Sequence, residues 1–301
     1  MDFNLLLLAG VDGVSYASLL FLIALGLTLI CGVFGVVNVA HGSLYAFGGY
    51  SAATLLGWLA PQAPSTPLMV AALFVAAALV GGCLGMFLER GLLRHFQDRD
   101  PVLQLLVTFA AFMVLEDLQR MIWGATPVNA GELAARMGTT ELVGVTFMNY
   151  QLLFVPGVAL AAYAALQFLL KHSIAGRQIV AVIHHREVAT ALGINASRVG
   201  MLTFGLAGAL GALGGALSVP LTSFVPGLGA EMIVTSFAVI ATAGLGQITG
   251  ALVAALLIGL ARAMAVYTLP ELEVVMPYLM MVAVLLVRPH GLFSAATARR
   301  I

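Results

Sequence analysis

The chain has 301 residues and a formal net charge of zero, with 61% hydrophobic residues and only 9% charged, against roughly 25% charged in an ordinary soluble domain. No soluble fold hides that much apolar surface, so lipid must be the solvent for most of the chain. The neutral balance offers no basic surface for nucleic acid.

Apolar runs fall near residues 13–35, 42–60, 67–88, 102–123, 150–170, 199–222, 232–246, 249–267 and 274–288. They are continuous rather than alternating, which selects helices over a β-barrel. The expected fold is all-α: an integral membrane protein built as a polytopic helical bundle of eight to ten transmembrane segments with broken helices, in one domain over 1–301. No basic region precedes the first apolar run, so no cleavable signal is expected.

The first run ends in an interruption, GVFGVVNVAHG over 32–42. Non-helical backbone at membrane depth survives only where protein or a watery cavity satisfies its polar groups, and broken helices mark solute routes in transporters. Asn38 and His41 are therefore candidates to line a path. The competing reading is a short loop at the inner surface, with His41 bonded to backbone.

Ten of the thirteen Lys and Arg fall in three places: Arg90, Arg94 and Arg99; Lys171, Arg177, Arg186 and Arg198; and Arg288, Arg299 and Arg300. The positive-inside rule puts all three in the cytoplasm. The polar stretch 124–149 then lies outside and is expected to hold a short surface helix, with Glu116 and Arg120 pairing four residues apart just before it.

The longest polar interval is GRQIVAVIHHREVATALGIN, 176–195. Ala181, Val182, Val188, Ala189 and Leu192 share one face of a helix, and Gly193 stands where a helix commonly stops. Such a helix either lies on the membrane surface or receives a partner protein. Parity then requires an odd number of crossings between residues 232 and 288, which makes GLGQITG, 244–250, a second break.

Several chemistries are missing. There is no Walker lysine loop, no nucleophile elbow, and no metal-ligand spacing around His184 and His185, so neither an enzyme nor a cofactor is expected. Carboxylates suited to an ion relay are scarce in the apolar runs. Cys31 and Cys83 read as packing residues.

Taken in order, seven stretches resemble the membrane permeases of branched-chain amino-acid ABC importers. They are GLTLICGVFGVVNVAHGSLYAFGGY (26–50), ERGLLRHFQDRDP (89–101), the 176–195 interval, FGLAGALGALGGAL (204–217), VPGLG (225–229), AGLGQITGA (243–251) and LLVRPHGLF (285–293). The resemblance implies a multi-pass permease of a bacterial or archaeal inner membrane with its C-terminus in the cytoplasm. It would work with a second permease subunit, two cytoplasmic ATPase subunits and an extracytoplasmic substrate-binding protein. It places the substrate path at Asn38, His41, Gly42, Tyr45, Thr235, Gly244 and Gly246. It places ATPase coupling at Gly176, Arg177, His185, Glu187, Ala191 and Gly193, in a cytoplasmic loop over 171–198 whose coupling helix is 181–193. The chain departs from the family where His185 replaces an acidic residue and Val180 a basic one. Val39 replaces a Phe, Thr249 a Pro, Thr235 a Lys and Arg262 a Glu. Other readings are a permease for amides, urea or small polar solutes, an ATP-independent channel, and a membrane scaffold without transport.

Overall fold

The computed structural model describes residues 3–35, 37–62, 65–96 and 99–293. Arg299 and Arg300 of the last basic group lie outside these, as do Val36 in the first interruption and residues 97–98 of the loop at 89–101.

Helix α1, Phe3–Phe34, starts well before the expected residue 13. At about 1.5 Å per residue its 32 residues reach ~48 Å, beyond the ~30 Å hydrocarbon core. Every residue from 17 to 31 is buried. A helix apolar on all faces belongs at the centre of a bundle, and α1 is one of its central helices.

Helix α2 is His41–Leu59. Helix α3, Thr66–Ala76, continues through a π-turn at Ala77–Gly81 into α4, Gly82–Gly91, so 66–95 is one span. Helix α5, Pro101–Trp123, is started by Asp100, whose carboxylate accepts from the Val102 N–H at 2.8 Å, with Pro101 in the first turn. Arg120 and Glu116 pair at 2.7 Å near its end.

The stretch 124–149 holds the short helix α6, Glu132–Arg136, and also an antiparallel hairpin absent from the all-α expectation. Its strands are β1, Thr139–Leu142, and β2, Val145–Met148. Val143 and Gly144 both have positive φ, at 52° and 79°, as a tight two-residue hairpin turn requires. Helix α7, Val155–His172, extends a π-turn at Tyr150–Phe154.

The polar interval forms two helices, α8, Ile174–His184, and α9, Arg186–Ala191. They are followed by α10, Ala196–Ser218, α11, Leu228–Ala243, α12, Ile248–Thr268, and α13, Met276–Val287. Among the described residues, six spans are long and apolar enough to cross a membrane: α1, 66–95, α5, 150–172, α10 and α12. Helices α2, α11 and α13 fill the remaining apolar runs.

The glycines of α10 decide what packs on it. A methyl added at Gly215 would strike the Tyr45 carbonyl of α2, and one at Gly208 the Gly81 carbonyl of the π-turn. Small residues thus let α2 and the 66–95 span approach α10 backbone to backbone, a mode of association suited to lipid.

Candidate functional site

The first interruption is a true break. Helix α1 ends at Phe34, Gly35 takes φ 66°, and the chain returns to start α2 at His41. The His41 Nε2 lies 3.2 Å from the Ile23 carbonyl, and its ring is enclosed by Gly26 and Gly211. Helix α2 therefore begins beside the interior of α1, not at its end. Asn38 shapes the turn, its Oδ1 accepting from the Ala40 N–H at 3.1 Å, and Thr108 of α5 accepts from the Val39 N–H at 3.3 Å.

These residues are deeply buried: Asn38 is 2% exposed and His41 not at all. His41 is bonded to backbone, as the competing sequence reading holds, but inside the span rather than in a loop at the surface. The Asn38 Nδ2 and the His41 Nδ1 have no hydrogen-bond partner among the described residues. Asn38 borders a cavity of about 20 Å³ with Gln104 and Thr108. Gly42 faces the Gly229 carbonyl, so the first turns of α2 and α11 meet inside the bundle. Two helix N-termini, each carrying a partial positive charge, converge there. The Tyr45 hydroxyl donates to Ser218 Oγ at 2.9 Å, and its ring stacks on Phe224, which folds in from the segment between α10 and α11.

The second break lies where parity requires it. Helix α11 ends at Ala243, Gly244 and Gly246 take φ of 98° and 76°, and α12 begins at Ile248. The C-terminal stretch seals this break: Leu292 and Phe293 donate their N–H groups to the Thr242 and Ala243 carbonyls at 2.9 and 3.1 Å. Carbonyls that end a helix without partners are thereby satisfied. Gly244 also borders an apolar cavity of about 810 Å³ with Cys31, Phe237 and Leu285.

The polar interval differs from expectation in one respect. A single helix would place Val182, Val188, Ala189 and Leu192 on one face. The backbone instead breaks at His185 (φ −150°, ψ 80°), which turns α9 relative to α8. Ile179, Val182 and Ala189 are buried, whereas Val188 and Leu192 are 56% and 78% exposed. Gly193 does stop α9: it takes φ 87°, its N–H reaches the Thr190 carbonyl, and the Ile194 N–H reaches Ala189. This is the Schellman closure that favours glycine. Gly176 is buried because a side chain there would strike the Leu169 carbonyl at the α7–α8 corner, which Ser173 caps. Arg177, His185, Glu187, Ala191 and Gly193 are all exposed.

Three of these pieces meet at one point. A methyl built on Gly32, near the C-terminal end of α1, would lie 3.7 Å from Ile183 Cδ1 of α8 and 3.8 Å from the Gly246 Cα. Helix α8 therefore meets the edge of the first break at Gly32, and Gly32 in turn lies against Gly246 of the second.

A second polar centre lies at the far end of α1, and the sequence reading passed over most of it. A cavity of about 420 Å³ is lined by Asp12, Tyr16, Gln151, Arg262, Tyr267 and Glu273, among others. Asp12 accepts from Gln151 and Tyr267. Arg262 pairs with Glu273 and lies 4.1 Å over the Tyr16 ring. Thr235, 3% exposed, donates to the Glu231 carbonyl at 3.0 Å and stands beside the Tyr16 hydroxyl. The available signal was Asp12 itself, a carboxylate within a long apolar helix, which is a functional candidate by default. Starting the first run at residue 13 left it out.

A family model described as the branched-chain amino acid transport system / permease component matches residues 10–285. The branched-chain amino acid permease LivH of Salmonella typhimurium is 27% identical over 296 residues, 96% of each chain. BraD of Pseudomonas aeruginosa, also named as a branched-chain amino acid permease, is 26% identical over 297 residues, 97% of this chain and 96% of its own. The ribose import permease RbsC of Escherichia coli is 27% identical over 251 residues, 79% of this chain and 71% of its own. No solved structure matches.

Proposed function

The chain belongs to the branched-chain amino acid transport permease family, and from that premise we propose that it is one membrane subunit of an ATP-driven importer. It pairs with a second permease subunit, identical or homologous, and takes energy from two cytoplasmic ATPase subunits. It receives its solute from an extracytoplasmic binding protein. Residues 1–301 act as one transmembrane domain in the inner membrane of a bacterium or archaeon, with the C-terminus in the cytoplasm.

The observation that carries this reading is the meeting of Ile183, Gly32 and Gly246. Force applied by an ATPase to the exposed side of α8 and α9, through Arg177, His185, Glu187, Ala191 and Gly193, reaches both breaks through one contact. Gly176 keeps the α7–α8 corner tight enough to transmit it. The solute route runs from the outer cavity past Thr235 and the paired helix starts at Gly42 and Gly229. It continues past Asn38, His41 and Tyr45 to Gly244 and Gly246. The unpartnered nitrogens of Asn38 and His41 are groups that a passing solute or water can satisfy when the helices part.

The outer cavity supports an amino acid as the solute. The Arg262 guanidinium keeps N–H donors beyond the one given to Glu273, and the Asp12 carboxylate keeps acceptor capacity beyond Gln151 and Tyr267. These ends suit a carboxylate and an ammonium. The similarity to a ribose import permease favours a second reading, in which the same machinery carries a small uncharged polar solute.

The test is uptake of radiolabelled leucine in cells that express the chain with its neighbouring ATPase and binding-protein genes. Uptake that stops on ATP depletion, and on Glu187→Lys, supports the reading. Uptake that survives ATP depletion assigns the chain to the channels.

A further inference from the structure

We infer that the basic ends of α4 and α10 form a site for the phosphate head group of an anionic phospholipid. Between them lies a cavity of about 360 Å³, lined by Glu89, Arg90, Arg94, Asn195, Ser197 and Arg198 together with Met201. Three arginines and one carboxylate leave this pocket with two net positive charges. Arg90, Arg94 and Arg198 are exposed, and none forms an ion pair with another described residue. Glu89 is 1% exposed and stands at the pocket floor beside Gly200, so its charge is spent below the arginines rather than at the mouth. The first turn of α10 also opens here, with Asn195 accepting from the Arg198 N–H at 3.0 Å. That helix start adds its partial positive charge to the arginines.

A second observation separates a lipid from a free anion. One turn further into the membrane on the same two helices, Phe87 and Leu202 are 70% and 51% exposed. A head group in the arginine pocket would leave its acyl chains running along these side chains. Basic pockets between spanning helices on the cytoplasmic side suit such head groups, and this pocket combines two of the three basic groups of the chain. Neither the solute route nor the coupling surface uses these arginines. The site adjoins α8 and α9, which pack on α10, so an occupied pocket braces the coupling pair.

The test is native mass spectrometry of the purified full-length chain in detergent, titrated separately with phosphatidylglycerol, phosphatidylethanolamine and inorganic phosphate. The expected result is retention of phosphatidylglycerol at least about tenfold above phosphatidylethanolamine, undiminished by millimolar phosphate. In the double variant Arg94→Gln/Arg198→Gln retention should fall about tenfold or more, as expected for loss of two surface cations. Arg120→Gln should leave it unchanged, and Arg94→Lys/Arg198→Lys should keep most of it. The comparison of lipids on the unaltered chain stands even if a variant fails to fold. Equal retention of the two lipids, or full displacement by phosphate, overturns the assignment. So does an effect of the glutamine variants on ATPase retention with no lipid preference, which would make the arginines a protein contact.

Discussion

The two ends of α1 solve opposite problems. At the end that carries the glycine breaks, backbone bonds close the second of them, where Leu292 and Phe293 cap α11. At the other end, Asp12, Arg262 and Glu273 line one cavity, where Arg262 pairs with Glu273 and Asp12 accepts from Tyr267. In the proposed function, energy enters at the first of these ends and the solute is selected at the second.

The largest expected effect breaks the first of these ends by geometry. Gly176→Val places a branched side chain against the Leu169 carbonyl, and the corner cannot close. Uptake in whole cells should vanish while the chain still reaches the membrane on an immunoblot. Next comes the second end: Arg262→Ala should raise the KM for leucine uptake roughly tenfold, the worth of one charge-assisted hydrogen bond. Basal ATPase activity of the assembly should not change. A fall in kcat at constant KM would instead place Arg262 in the coupling machinery.

A smaller effect is expected at Gly193→Ala, which forces a Cβ into φ 87° at a cost of about 1 kcal/mol. Uptake should fall severalfold, and Gly193→Asn, which tolerates that conformation better, should recover part of it. Glu116→Ala should do least. It removes an ion pair whose arginine is about half exposed, worth at most about 1 kcal/mol, and thermal unfolding and uptake should both match the unaltered chain.

Much of the end with the glycine breaks was legible because its signals are local. Glycines interrupt apolar runs at 32–42 and 244–250, and the parity of the basic groups demands the second break. Gly193 announces the end of α9. The hinge at His185 was not legible: nothing in its neighbours breaks a helix, and the exposure of Val188 and Leu192 follows only from packing against α10. The hairpin at 139–148 hid because Val143 occupies a turn position where glycine or asparagine would have marked it. The Asp12 cavity is long-range by construction. Asp12 meets Gln151 and Tyr267, residues 139 and 255 positions away, and no window of sequence shows that. Nor does hydropathy say which apolar runs are central, since every candidate run is apolar enough to be so.

The most direct measurement is the amount of ATPase subunit retained on affinity-purified permease, compared between Val188→Asp/Leu192→Asp and Arg262→Ala. The account predicts that the first loses most of its ATPase, about tenfold or more, because it puts charge on the only large apolar side chains that α9 and its cap expose among the described residues. The second should retain its ATPase in full and fail only in uptake. Full retention by the Val188/Leu192 variant, or loss from the Arg262 variant, would contradict the claim that energy enters through α8 and α9.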